Sequence, residues 1–151
     1  MANIIEAYVN EPPLPTRAFF TLVDATAELV NESEKYWQSK GINGARIRIL
    51  VEIAKVGGQI LPSLLAQNIG VTKANISILL TPLEEDGFVR RTSHPEDGRK
   101  ALISLTADGQ KLLIQHLPDN RHVIAEAMKE LSESELHQLI FLLEKIKRRE
   151  G

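Results

Sequence analysis

Residues 61–105 read LPSLLAQNIGVTKANISILLTPLEEDGFVRRTSHPEDGRKALISL. The first segment, Leu61–Asn68, opens with Pro62, which suits a first helical turn, and stops at Gly70. Thr72 then offers an N-cap for a second helix to about Asp86, with Gly87 as the C′ residue. Ile69-Gly70-Val71-Thr72 between them is the short, glycine-containing turn of a helix-turn-helix. Phe88–Ser93 follows as a strand and His94-Pro95-Glu96-Asp97-Gly98 as a turn. Arg99–Leu105 returns as a second strand, with Ala101, Ile103 and Leu105 on one face. Two strands around a basic turn, directly after a helix-turn-helix, make a winged helix.

Helices are predicted on both sides of this segment. Upstream, Phe19, Leu22, Val23, Thr26, Leu29, Val30, Tyr36 and Trp37 recur at helical spacing and predict a long amphipathic helix from residue 16. Pro12, Pro13 and Pro15 predict an irregular arm before it. Gly41 and Gly44 separate it from a helix over Ala45–Val56. There Ile47, Ile49, Leu50, Val51, Ile53 and Ala54 cover most of the circumference, as in a buried helix closed by Gly57-Gly58. Downstream, Thr106 caps a helix with Leu112, Leu113 and Leu117. Pro118 is expected to break or kink it, and Val123, Ile124, Ala127, Met128 and Leu131 resume the period. Ser132-Glu133-Ser134-Glu135 is a capping box for a last helix, with Lys145, Lys147, Arg148 and Arg149 in its final turns. The fold class is therefore mainly α with a small β-hairpin wing. Residues 1–40 are an arm and dimerisation helix, 41–105 the winged helix-turn-helix, and 106–151 further dimerisation helices. The outer helices carry more apolar surface than one winged helix covers. Phe19, Leu22 and Val30 on one side and Leu136, Leu139, Leu143 and Ile146 on the other are expected to bury against a two-fold partner.

Composition narrows the function. In 151 residues, 43% hydrophobic and 25% charged side chains are ordinary globular proportions. There is no cysteine, so disulfides, zinc-thiolate sites, Fe–S clusters and thiol redox switching are excluded. No apolar run reaches the ~18 residues of a membrane span, and MANIIEAYVNEPPLP lacks a basic region before an apolar core. A cytoplasmic protein with no membrane partner is expected. Of four histidines, at 94, 116, 122 and 137, His116 and His122 stand six apart around Pro118 rather than at the i, i+4 spacing of a helical metal pair, so neither metal nor cofactor is expected. No nucleophile elbow, phosphate-cradling loop or framed carboxylate pair is present, which argues against an enzyme.

The net charge of −2 conceals a basic turn, with Arg90, Arg91, Arg99 and Lys100 against Glu96 and Asp97. Such a patch either holds phosphates or is a solvated hairpin. On the preceding helix Thr72, Lys73, Asn75 and Ser77 are the polar positions, while Ile76, Leu79, Leu80 and Leu83 point to a core. Asn bonds an adenine edge in two places, Lys reaches guanine or phosphate, and hydroxyls suit phosphates. Arg99 is placed to enter a minor groove, with Asp97 as its positioning partner. Arg90 and Arg91 are either DNA-backbone contacts or wing-stiffening pairs. Phe19, Phe20, Tyr36 and Trp37 are core, interface or effector-pocket residues.

VTKANISILLTPLEEDGFVRRTSHPEDGRKALISLTADGQKLL, residues 71–113, resembles the MarR family of winged-helix transcriptional regulators. LEEDGFVRR is similar to the end of that family's recognition helix and its first wing strand. Asp97-Gly98-Arg99 matches the wing's D-x-R, Leu105-Thr106-x-x-Gly109 its L-T-x-x-G, and LSESEL the opening of its last helix. The resemblance implies a homodimer binding a pseudo-palindromic operator, a repressor role, and a small apolar or aromatic-acid effector. The chain departs from the pattern at Ile78 and Pro82, where the family often carries basic residues. Pro82 is expected to kink the recognition helix, and the acidic run Glu84-Glu85-Asp86 not to restore the lost anchoring. These departures motivate the alternative of a winged helix with weakened DNA binding that serves protein or ligand binding.

Overall fold

The computed structural model describes residues 2–147. In chain order it contains α1 (Ala2–Asn10), α2 (Leu14–Ser39), α3 (Gly44–Lys55), β1 (Gln59–Ile60), α4 (Pro62–Ile69) and α5 (Lys73–Glu85). β2 (Val89–Ser93), β3 (Ala101–Leu105), α6 (Ala107–Ala127) and α7 (Glu133–Lys147) follow. The elements fall into two compact units, one of them Glu34–Val123 and the other made of the chain before and after it.

The Glu34–Val123 unit holds the hydrophobic core. Trp37 from the end of α2, Ile49, Leu50 and Ile53 from α3, Leu65 from α4, Ile76, Leu80 and Leu83 from α5, and Ile103 from β3 are all buried there. Side chains spaced three and four apart on α3 and α5 thus meet Trp37, Leu65 and one strand face. Asn43 caps α3, its side chain accepting from the N–H of Ala45 at 2.8 Å. Glu52 lies on that helix almost wholly buried, between Arg48 at 3.1 Å and Lys55 at 2.9 Å. Burial alone raises its carboxyl, but hydrogen bonds and charge from Lys55 and Arg48 outweigh this and hold it below the usual carboxylate value. His116 packs its ring edge-on to Trp37 with centroids 6.0 Å apart, and its carbonyl accepts from the Tyr36 hydroxyl. Tyr36 and Trp37 are therefore packing residues.

The strands form one antiparallel sheet in the order β1-β3-β2, with Ile60 and Arg91 both opposite Ile103. The hairpin wing thus gains a third strand. β1 is only two residues long, too short to show any alternation in sequence.

The other unit contains α1, most of α2, the end of α6, and α7. Among residues 3–33 and 124–147 no side chain is buried. The capping box forms as read: Ser132 N–H donates to Glu135 at 2.9 Å, and Glu135 N–H to the Ser132 hydroxyl at 3.2 Å. Hydrogen bonding from the Ser132 N–H, and then from the Ser132 hydroxyl, holds the Glu135 carboxyl below its ordinary value. Arg148 and Arg149 lie outside the described residues.

Four readings of the sequence need correction. The N-terminal arm is not irregular, because Ile4, Ile5, Tyr8 and Val9 give α1 an apolar stripe. Pro12 and Pro13 separate it from α2, which starts at Leu14 with Pro15 in the first turn, where no N–H is needed. Pro118 does not break α6. Pro118 and Ile114, whose carbonyl loses its partner, are both exposed, so water can serve that group. Arg99 and Lys100 belong to the turn rather than to β3. Ala54 is exposed, and the charge of Glu52 occupies part of the circumference expected to be apolar.

Thr106 and Gly109 show why the L-T-x-x-G word is needed. The Thr106 hydroxyl donates to the Gly87 carbonyl at 2.6 Å and accepts from the Gly109 N–H at 3.1 Å. A Cβ on Gly109 would stand 2.4 Å from the Phe88 carbonyl oxygen and 2.7 Å from Leu105 Cδ1. Gly109→Ala is therefore expected to destabilise the fold by about 1–3 kcal/mol despite alanine's helix propensity. Urea unfolding checks this, and an unchanged midpoint would refute the close approach.

Candidate nucleic-acid interface

The Thr72 hydroxyl oxygen accepts from the Asn75 N–H at 3.1 Å and starts α5. Because Ile76, Leu80 and Leu83 are buried, the helical period turns the other side of α5 outward. Lys73, Ala74, Asn75, Ser77, Ile78 and Thr81 are all exposed there. The helix continues through Pro82 to Glu85 without a break. Capping uses one lone pair of Thr72 and leaves its O–H to donate to a phosphate. The Asn75 amide has no partner among the described residues, so both of its groups are available to an adenine edge.

A cleft of about 340 Å³ brings Lys73 and Ser77 together with Lys100 from the wing and with Pro62 and Ser63 from the first turn of α4. Two lysines, two serines and the first turn of a helix beside one hollow, with Leu61, Ile76 and Ala101 as its apolar lining, suit a phosphate. Ser63 was missed in the sequence, although its place just after Pro62 at a helix start was the available signal.

The register separates the two wing arginines. Arg91 sits opposite buried Ile103, on the strand face turned to the core, and its Nε lies 2.7 Å from Glu84 at the end of α5. Arg90 sits opposite Ser104 on the other face, lining a hollow with Gln59 and Thr92. Arg91 is thus paired across to the end of α5. Arg90 makes no ion pair among the described residues and is not brought to the face that holds Lys73 and Ser77. The acidic run is also largely neutralised, with Glu84 paired to Arg91 and Asp86 to Arg46 at 3.5 Å.

At the wing tip Asp97 accepts from the Arg99 N–H at 3.1 Å and from Arg99 Nε at 3.3 Å. The turn closes with Lys100 N–H on the Asp97 carbonyl and His94 N–H on the Lys100 carbonyl. One carboxylate thus shapes the turn and orients the guanidinium it carries, which is 93% exposed. The guanidinium is held through Nε, and its two NH2 groups have no partner among the described residues. Among the described residues no group of three His, Asp or Glu side chains is arranged to hold a metal ion.

A family model described as the MarR family matches residues 40–100. The transcriptional repressor YetL of Bacillus subtilis is 32% identical over 139 residues, covering 91% of this chain and 83% of that protein. The chain belongs to the MarR family. Like other MarR-family members it is a DNA-binding transcriptional regulator and not an enzyme. Solved MarR-type structures share its fold. A MarR variant from E. coli complexed with operator DNA superposes with a TM-score of 0.76 at 24% identity, over 88% of this chain and 94% of that one. BpsR of Bordetella bronchiseptica, whose DNA binding is regulated by 6-hydroxynicotinic acid, gives 0.81 at 17% identity, over 93% and 99%. Among the described residues no helix is long and apolar enough to cross a membrane.

Proposed function

We propose that this protein is a homodimeric, ligand-responsive repressor that reads a pseudo-palindromic operator. The observation that carries the dimer is the unit outside Glu34–Val123, which buries no side chain yet exposes Phe19, Val30, Ile140, Phe141 and Ile146 by more than half. Leu22, Leu136, Leu139 and Leu143 are half-buried beside them. Apolar surface of this extent on a monomer marks an interaction site. A two-fold dimer presents two α5 helices to half-sites about 34–36 Å apart. Thr72, Lys73, Asn75 and Ser77 make the major-groove and phosphate contacts, Arg99 with Lys100 the wing contacts, and Arg90 an outer backbone contact. The repressor role is supported by the similarity to YetL.

For the effector, a groove of about 440 Å³ is lined by Ala54, Leu105, Leu113, Ile114 and Leu117, with Gln110 and Arg121 as its polar residues. Apolar walls with one guanidinium suit a small aromatic acid, the ligand class that regulates BpsR. Such a ligand weakens repression only by its differential affinity for the DNA-incompetent state, typically ~1–3 kcal/mol, and DNA weakens ligand binding equally.

The test is a fluorescence-anisotropy titration against the protein's own upstream DNA at two salt concentrations, beside a scrambled duplex. A steep salt slope with specific binding at least about 1,000-fold tighter is expected. Equal affinity for both duplexes would favour the alternative of a winged helix that serves other partners.

A further inference from the structure

We propose that Ile78 is a specificity residue of the recognition helix, reading a thymine through its 5-methyl group. The inference rests on the reading of the protein as a sequence-specific operator binder. Ile78 is 69% exposed, on the side of α5 opposite buried Ile76, Leu80 and Leu83. Ala74, Ile78 and Thr81 stand at i, i+4 and i+7 and form one row along that side. Thr81 donates its hydroxyl proton to the Ser77 carbonyl at 3.0 Å, so it offers no free donor there. The outermost row of the helix therefore carries methyl groups and no hydrogen-bond donor.

An exposed β-branched residue is a poor choice for a solvated helix, in propensity and in hydration. It gains where something apolar covers it. In the major groove the only apolar feature of the base edges is the thymine methyl, which distinguishes T·A from every other pair. Guanine recognition needs a donor, which this row lacks. Asn75 lies one turn before Ile78 with its amide unpartnered, a placement that suits an adenine on the same pair or the next. Lys73 and Lys100 line the flanking cleft and hold the helix to the phosphates. Ile78 thus replaces a backbone-anchoring cation with a base-reading methyl contact, and the operator half-site carries an A·T pair at that position.

The experiment begins with duplexes selected from a randomised pool by the full-length protein. Each thymine of the selected duplex is then replaced by deoxyuridine, which deletes one methyl and leaves every hydrogen-bonding group. Anisotropy titrations are expected to show one position per half-site where the change weakens binding about fourfold, and about fifteenfold when both half-sites carry it. Ile78→Ala is expected to weaken binding to the thymine duplex by a similar factor and to bind thymine and uracil duplexes alike. Ile78→Val is expected to keep part of the discrimination. Thermal melting should show both variants folded, since the side chain is exposed. Indifference of the wild type to uracil at every position overturns the proposal, as does a uracil penalty that survives in Ile78→Ala. A pool that yields no enriched sequence from folded protein overturns the operator reading itself, and the methyl contact falls with it. That last result would leave the apolar row to a protein partner.

Discussion

Arg99→Ala is expected to weaken operator binding by about 1–3 kcal/mol, or roughly 5- to 150-fold in Kd, without lowering stability. The side chain is 93% exposed, and its ion-pair partner among the described residues is Asp97. An exposed ion pair of this kind contributes little to folding, so its loss should not register in a melt. Its geometry nonetheless matters for DNA. Asp97 holds the backbone N–H and the guanidinium Nε, and among the described residues the two NH2 groups have no partner and can meet an incoming one. A narrow A·T minor groove concentrates negative potential and would draw it in. Anisotropy across a salt series on operator and scrambled duplexes separates the two modes of contact. A loss confined to the operator identifies groove reading. A uniform loss, with the salt slope falling by about one unit, identifies a phosphate contact. Unchanged affinity and slope would remove the wing from the mechanism. Arg91→Ala should act through the wing's stiffness, because Glu84 already holds that guanidinium.

The caps were the most legible part of the fold. Thr72, Thr106 and the Ser132–Glu135 pair each make the bond their residue type and spacing announce. Local chemistry decides a cap, so a few residues suffice to read it. Strand faces were less legible. Arg90 and Arg91 differ by one position, and only the pairing of Arg91 with Ile103 tells which faces the core. β1 exists because β3 is there to pair with it, which no local pattern reveals. At the N-terminus, proline punctuation masked the stripe of Ile4, Ile5, Tyr8 and Val9. It read as an irregular arm, although proline only separates α1 from α2 there. In the candidate site Lys73, Ser77 and Lys100 were legible one by one, but their meeting in one cleft with Ser63 depends on how α4, α5 and the wing pack. Ile78 was legible only as a missing cation. Its exposure turns that absence into a property of its own.

The double variant Phe19→Asp with Val30→Asp is expected to sediment as a monomer at micromolar concentration and to lose operator affinity by about 100- to 10,000-fold. The two positions are eleven residues apart, three helical turns, and so share one face of α2. Each is 60% exposed in the single chain, so a carboxylate there costs the isolated fold almost nothing. In a dimer that buries this face, an unpaired charge costs about 2 kcal/mol or more per copy, and two-fold symmetry repeats both changes in the partner. The effect on DNA follows from geometry. A dimer that has bound one half-site holds its second α5 at millimolar effective concentration over the other, and a monomer forfeits that gain. Sedimentation gives the assembly state and circular dichroism checks the fold. Anisotropy on full and half operators should then give nearly equal affinities for the variant. A variant that remains dimeric would show that Phe19 and Val30 lie outside the interface. Monomers that still bind the full operator tightly would separate DNA recognition from dimerisation, and the two-fold account of the operator would fall.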